Sequence, residues 1–340
     1  MKYLLEIHHG IGDVVQFTGI IDTIISRDNE ANIAIIVNKE IYTELFNNDS
    51  RVQQFYIIDM NNLKVTLKNV IAMRKAHFDY FILSPISNNR ASKVLAFLIN
   101  AEKSFGEQLS NSRWLGFNKI NSEKNAHIVE RNQKIINKIL GNKVMMMPRL
   151  KCNSDILDNE IDKKIAICIG TSIPQKTWDL KKYLGLAYKL EMIGYKIVLL
   201  GGKKEELYYK ETEKECNYIN LLGKTTLYET ASVCGKCELV IGGDTGVMHI
   251  AAAMGACTLT LFTCTDPKLH APFSEKSYYY SVKLPCQYCY EDNNEDKCKE
   301  YRCVNEINVD EVFEIVKKIL NREDDDKYRY KYERDNYENE

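Results

Sequence analysis

Ile241-Gly-Gly-Asp-Thr-Gly-Val-Met-His-Ile-Ala-Ala-Ala-Met-Gly255, followed by Cys257-Thr-Leu-Thr-Leu-Phe262 and Thr263-Cys-Thr-Asp-Pro267, decides the fold. The apolar run Leu239–Ile241 ends in two glycines. Asp244 stands where a helix N-cap belongs, and Val247, Ile250, Ala251 and Met254 recur at helical spacing. Gly255 is placed to close that helix, and residues 257–262 form the next strand. Strand, turn, helix and strand make the repeating unit of a parallel α/β sheet, whose ligand end is the helix N-terminus. There Thr245 and Gly246 offer unpaired backbone N–H groups and a positive dipole end, and Gly246 lets a phosphate approach the main chain closely.

The 340-residue chain, 45% hydrophobic and 27% charged, is long enough for two domains of ordinary size. Its net charge of −1 argues against general nucleic-acid binding. The charge is uneven: residues 1–150 hold 19 Lys+Arg and 14 Asp+Glu, a net +5, so the remainder carries −6. A mildly basic first half suits an anionic substrate or a peripheral contact with the inner membrane face, or is only a solvated surface. The opening Met1-Lys-Tyr-Leu-Leu-Glu6 reaches a charge too early for a secretory signal. No uncharged apolar run approaches the roughly 18 residues of a membrane helix. The 11 cysteines then read as reduced thiols or metal ligands, and the expected compartment is the cytoplasm.

Taken in order, the chain opens with a strand, Tyr3 to Ile7, then His8-His9-Gly10-Ile11-Gly12-Asp13, then a helix carrying Val14, Val15, Phe17, Ile21 and Ile25. The third glycine of a dinucleotide-binding G-x-G-x-x-G would fall at Val15, so that fingerprint fails. Asp13 is either a general base facing a cleft or a plain helix-capping aspartate. Strand-like segments at Ile33–Val37, Phe55–Ile58 and Tyr80–Leu83 alternate with helical patterns, as in a doubly wound α/β domain. The stretch Ser84-Pro-Ile-Ser-Asn-Asn-Arg-Ala-Ser-Lys93 brings Arg90 and Lys93 to the open edge, as acceptor-reading cations or as solvated ones. The pattern breaks between Gly141 and Ser154, which places the interdomain linker there.

The second half repeats the architecture. A strand over Lys164–Ile169 leads to Gly170-Thr-Ser-Ile-Pro-Gln-Lys-Thr-Trp178, a helix over Leu180–Ile193, a strand over Lys196–Leu200 and Gly201-Gly202. Thr171 and Ser172 place hydroxyls, and Lys176 a cation suited to a diphosphate, at the same carboxyl edge as Asp244 and Thr245. Glu205, in a first helical turn, is either an acceptor for a ribose diol or a dipole-favoured surface carboxylate.

His9-Gly10-Ile11-Gly12-Asp13 near the start and Gly243-Asp244-Thr245-Gly246-Val247-Met248-His249 near the end resemble the paired motifs of the heptosyltransferases, glycosyltransferase family 9. The resemblance covers roughly residues 1–320, with Ile11 in place of the usual leucine and Gly19 where the family often has proline. It implies a GT-B arrangement of two Rossmann-like domains facing a central cleft. Residues 1–150 would bind the acceptor, through Gly12, Arg90 and Lys93, and residues 151–320 a nucleotide-diphosphate sugar, typically ADP-heptose. It also implies inverting, metal-independent transfer to a lipopolysaccharide-core or related surface glycan, with Asp13 as base and Lys176 and the Thr245–Gly246 amides taking the diphosphate charge. Thr171, Ser172, Asp244 and Glu205 match family donor contacts, and His249 either touches the donor or braces the loop. Protein O-glycosylation by the same chemistry and a non-catalytic sugar-nucleotide-binding role are the alternatives.

Cys286-Gln-Tyr-Cys289, with Cys298 and Cys303 following, has the spacing of a four-thiolate Zn or Fe site in a loop too polar to form a core, or leaves four free thiols. Relatives that glycosylate autotransporter proteins use a similar cluster to bind iron. No cofactor is expected for the chemistry itself. Cys234 and Cys237 lead into an apolar strand and read as core. Val309–Leu320 reads as a final amphipathic helix, which in GT-B relatives packs back across the cleft, and residues 321–340 as a charged, disordered tail or solvated helix.

Overall fold

The structure is a computed structural model that describes residues 1–7, 10–85, 90–107, 117–120, 125–141, 144–157, 163–210, 218–291, 298–323 and 327–331. The chain divides into two compact units, cut between Lys151 and Cys152.

The first unit runs β1 (Lys2–Glu6), α1 (Ile11–Arg27), β2 (Asn32–Val37), β3 (Gln54–Ile57), α2 (Leu63–Ala76), β4 (Tyr80–Leu83), α3 (Arg90–Ile99), β5 (Lys103–Glu107), β6 (Phe117–Ile120) and α4 (Ile128–Leu140). Its sheet has the order β3-β2-β1-β4-β5-β6 with every neighbouring pair parallel. Helices cover both faces, so the central strands are apolar on both sides: Leu4, Leu5, Phe81 and Ile82 are fully buried. One face carries Leu4, Ile36, Phe81 and Leu83 against Met73 of α2 and Leu95 and Ile99 of α3. At the start of α1 the Gly10 N–H donates to Asp13 Oδ2 at 2.8 Å, the carboxylate half of a capping box, since glycine has no side chain to return the second bond. The segment after α4 is pinned to α1: the Arg149 N–H donates to Thr18 Oγ1 at 3.0 Å. A Cβ at Gly19 would run into the Met146 carbonyl, so the glycine that departs from the family pattern is what admits this segment.

The second unit runs β7 (Lys164–Cys168), α5 (Leu180–Met192), β8 (Lys196–Leu200), α6 (Lys203–Lys210), β9 (Ile219–Asn220), α7 (Leu227–Gly235), β10 (Leu239–Gly243), α8 (Gly246–Ala253), β11 (Cys257–Leu261), α9 (Pro267–His270), β12 (Ser277–Tyr280), α10 (Arg302–Asn305) and α11 (Val309–Leu320). The order β12-β11-β10-β7-β8-β9, again all parallel, is the same doubly wound topology. The strand order therefore reverses direction between β1 and β4 in the first unit and between β7 and β10 in the second, which are the switch points where such sheets bind ligands.

α11 packs on α5 of its own unit, because Val312, Ile315 and Val316 share a core with Leu186 and Leu190. The tail is not uniformly disordered: residues 327–331 pair antiparallel with β12. The Tyr279 N–H donates to the Tyr328 carbonyl at 2.7 Å and the Tyr330 N–H to the Ser277 carbonyl at 2.8 Å. Tyr330 is buried against Phe273. The alternating tyrosines of this segment give it one buried side; residues 324–326 and 332–340 lie outside the described residues. Among the described residues no helix is long and apolar enough to cross a membrane.

Candidate functional site

At the switch point of the second unit, β10 ends in two glycines because the neighbouring backbone occupies the space a side chain would need. A Cβ at Gly243 would lie 2.7 Å from the Lys176 carbonyl oxygen and 2.8 Å from Thr171 Cγ2. The loop that follows β7 thus rests on the end of β10, and residues 171–178 and 243–246 form one edge. Thr171 and Thr177 share a short hydroxyl contact, and both hydroxyl oxygens lie 2.9 Å from the Ile173 carbonyl oxygen, which accepts from one of them.

The N-cap of α8 is Thr245, not Asp244 as the sequence suggests. The reason is a competing partner: Asp244 Oδ2 accepts from Lys176 Nζ at 2.7 Å and from Thr265 Oγ1 at 2.8 Å. Burial would raise the Asp244 carboxyl, but the adjacent Lys176 ammonium more than offsets it and holds the group below the ordinary carboxylate range. Lys176 Nζ also lies 4.6 Å from the centre of the Tyr290 ring, a cation–π distance. Behind that ring, His270 Nε2 and Glu291 Oε1 are 3.0 Å apart, and the Asp266 N–H donates to the same Glu291 oxygen at 3.1 Å. Thr265, Tyr290, His270 and Glu291 escaped the sequence reading. The polar run Thr263–Pro267 directly after β11 was the available signal, since it occupies the next carboxyl edge.

His249 is buried in α8, and burial pushes its imidazole down to about 4. A neutral, enclosed ring fits the bracing alternative. Glu205 sits in the first turn of α6, where its Oε2 accepts the Gly202 N–H at 2.9 Å. A Cβ at Gly170 would meet Glu205 Cδ at 2.8 Å, so this carboxylate lies directly on the end of β7. A cavity of about 460 Å³ opens beside it, lined among others by Thr171, Ser172, Trp178, Glu205, Tyr208 and Tyr301. Lys176, Asp244, Thr245, Gly246 and His249 are not in its walls; Lys176 shares the loop after β7 with several wall residues, and the other four follow β10. The edge thus has two parts, an aromatic and carboxylate-lined cavity and an adjoining helix start that carries the Lys176–Asp244 ion pair.

In the first unit, Gly12 and Asp13 lie in the first turn of α1 and Lys93 in the first turns of α3, which follow the two strands of that switch point. The Arg90 side chain and residues His8, His9 and 86–89 lie outside the described residues. Tyr42 belongs to the same locality: burial and then the Asp13 charge raise its phenol.

The structure gives no support to the four-thiolate site expected of Cys286, Cys289, Cys298 and Cys303. Among the described residues no group of three or more His, Cys, Asp or Glu side chains is arranged to hold an ion. Cys303 has been drawn into the apolar core with Val304 and Ile307, while Cys286 is exposed. Burial, followed by Cys264, Cys298, Cys289 and Cys286 nearby, pushes the Cys303 thiol up to about 12, so it stays protonated. Residues 292–297 of this loop lie outside the described residues. Cys234 and Cys237 are buried among core residues.

Residues 68–300 match the family description of glycosyltransferase family 9 (heptosyltransferase). Over 120 residues the chain is 33% identical to lipooligosaccharide heptosyltransferase 2 of Haemophilus influenzae, a stretch covering 33% of this chain and 35% of that relative. The solved structure of E. coli ADP-heptose lipopolysaccharide heptosyltransferase II superposes with a TM-score of 0.77 at 20% identity, covering 95% of this chain and 99% of that one. E. coli heptosyltransferase WaaC with ADP gives 0.74 at 18% identity over 94% of this chain and 100% of that one. These likenesses show the fold class, GT-B with two Rossmann-like doubly wound units.

Proposed function

The chain belongs to glycosyltransferase family 9, and on that premise we propose that it is an inverting, metal-independent transferase moving heptose from ADP-heptose to a hydroxyl of a lipopolysaccharide-core or related glycan. The observation that carries this reading is the Lys176–Asp244 pair at the start of α8. It presents a positioned ammonium beside the amides of Thr245 and Gly246, which is the charge a departing diphosphate needs. The adjoining cavity supplies the remainder of a nucleotide site. Glu205 accepts from a ribose diol, Thr171 and Ser172 reach phosphate oxygens, and Tyr208 and Tyr301 offer flat apolar faces to a base.

In the reaction, Asp13 of the first unit takes the proton of the acceptor hydroxyl. Its oxygen attacks the anomeric carbon from the face opposite the leaving group, and the bond from that carbon to the diphosphate breaks with its electron pair going to ADP. One displacement inverts the configuration. Asp13 is already anchored for this by the Gly10 N–H on one carboxylate oxygen. Gly12, Arg90 and Lys93 contact an anionic acceptor, His249 braces α8 without charge, and the chain acts on the cytoplasmic side.

The test is a panel of nucleotides followed by transfer. ADP is expected to raise the melting temperature while UDP and GDP do not, and ADP-heptose with a deacylated core acceptor is expected to yield product of inverted anomeric configuration. Absence of stabilisation by millimolar ADP would sink the donor assignment.

A further inference from the structure

We propose that the exposed face shared by α2 and α3 docks the first unit onto an anionic lipid surface. α2 presents Leu63, Leu67 and Ile71 at four-residue spacing, and α3 presents Val94, Phe97 and Leu98; all six are between 41% and 67% exposed. The two helices pack side by side, and Arg74 of α2 donates through Nη1 to the Leu98 carbonyl at 2.8 Å. Soluble proteins scatter exposed apolar side chains singly, whereas here six share two adjacent helices.

The charge around them is mostly positive, although Glu40 and Asp59 line the adjoining cavity. From Met60 to Asn100 there are six Lys and Arg residues and a single acid, Asp79, whose Oδ2 accepts the Lys2 backbone N–H at 2.7 Å. Lys64 and Lys68 each follow a leucine of the stripe, Lys75 comes one turn after Ile71, and all three are exposed. An apolar stripe flanked by lysines suits a helix lying in a headgroup region, with leucines at the acyl boundary and ammonium groups on anionic lipid. A second copy of the chain fits worse, because a two-fold interface would set the same cations against one another. Among the described residues no helix can span a bilayer, so this contact is peripheral.

The face runs into a cavity of about 1180 Å³, lined in part by Ile58, Leu63, Val70, Leu95 and Leu98 at the ends of β2 and β3. Docking would bring that opening to the lipid surface, where a glycolipid headgroup is presented. The docking itself needs no assumption about the transferred sugar, and its test contains no nucleotide.

Purified full-length protein is sedimented with vesicles of phosphatidylcholine alone and with vesicles containing about one quarter phosphatidylglycerol. Binding to the anionic vesicles only is expected, falling roughly tenfold or more when salt rises from about 50 to about 500 mM. A comparable fall is expected in the double variant Leu67→Ser/Phe97→Ser, with its melting temperature unchanged. A second variant, Lys64→Gln/Lys68→Gln, should lose the preference for anionic vesicles while keeping the fold. Binding to neither vesicle, equal binding to both, or undiminished binding by both variants overturns the proposal. So does a dimer in sedimentation velocity that Leu67→Ser/Phe97→Ser dissociates, which would give the face to a second copy.

Discussion

Replacing Lys176 by methionine leaves the Asp244 carboxylate buried without its counter-ion, and the geometry sets the size of the penalty. The two groups are 2.7 Å apart with side chains only 11% and 8% exposed, so water is a poor substitute for the ammonium. Removing one partner of such a pair costs about 3–5 kcal/mol. Protonation caps the loss. Taking a carboxyl from its ordinary value near 3.9 to the neutral form at pH 7 costs about three units at about 1.36 kcal/mol each, or roughly 4 kcal/mol. The expected destabilisation at pH 7 is therefore about 3–4 kcal/mol. Its pH dependence has an unusual sign. In the wild type the Lys176-lowered carboxyl contributes fully above its unfolded value, and the contribution is lost as pH falls through the lower folded value. In Lys176→Met burial is opposed chiefly by the single Thr265 hydroxyl, the folded carboxyl is expected to titrate above the unfolded one, and the penalty shrinks as pH falls from 7 towards 4. Urea unfolding at pH 7 and pH 4.5 measures both quantities. The double variant Lys176→Met/Asp244→Asn separates structure from binding: with no buried charge left its stability should recover, while its ADP affinity should not. A Lys176→Met penalty under about 1 kcal/mol at pH 7, or one that does not shrink towards pH 4.5, refutes the reasoning.

Asp13→Asn keeps an oxygen for the Gly10 N–H, so the melting temperature should hold while transfer falls roughly a hundredfold or more; normal turnover would remove Asp13 as the base. His249, with a folded value of about 4 against an ordinary 6.5, binds its proton later than the unfolded chain does. Its contribution is complete above about pH 6.5 and is lost towards pH 4, by up to roughly 3 kcal/mol, and His249→Gln should flatten that part of the urea-unfolding profile. Gly170→Ala places a methyl against Glu205 Cδ and should weaken ADP binding about tenfold by titration calorimetry with little change in stability; unaltered affinity would detach Glu205 from the donor. Excess EDTA should leave the transfer rate unchanged over minutes, and an immediate loss reversed by Mg²⁺ would contradict charge stabilisation by Lys176 and the helix amides.

The parallel α/β class is legible because strands covered on both faces must be apolar throughout. Tyr80–Leu83 and Lys196–Leu200 are strands with the bounds their sequence suggests. β5, with Lys103-Ser-Phe-Gly-Glu107, and the two-residue β9 escape the pattern because they lie towards the sheet margins, where little apolar surface is needed. In the site, Lys176 and Asp244 are both recognisable as polar residues at strand ends. Their pairing is not, because it joins loops 68 residues apart and depends on how the segment after β7 rests on Gly243. The same packing brings Tyr290 to Lys176, and no spacing rule announces that. For the cysteines, spacing alone pointed to a shared ion, whereas the apolar residues flanking Cys303 decide that its thiol turns inward.

The antiparallel pairing of residues 327–331 has a colloidal consequence. β12 is the outermost strand of the second sheet, and its sequence, Ser277-Tyr-Tyr-Tyr280, is aromatic and without charge. Left bare, such an edge offers an unpaired row of amides and carbonyls to a neighbouring molecule. Tyr328 and Tyr330 occupy those groups within the same chain, and Arg329, with its guanidinium 5.6 Å from the Tyr278 ring, covers the rim with a charge. The C-terminal segment therefore acts as a gatekeeper against self-association. A chain cut after Arg322 loses the buried Tyr330 and should unfold at a somewhat lower urea concentration, and under native conditions its light scattering should rise with protein concentration where the intact chain stays clear.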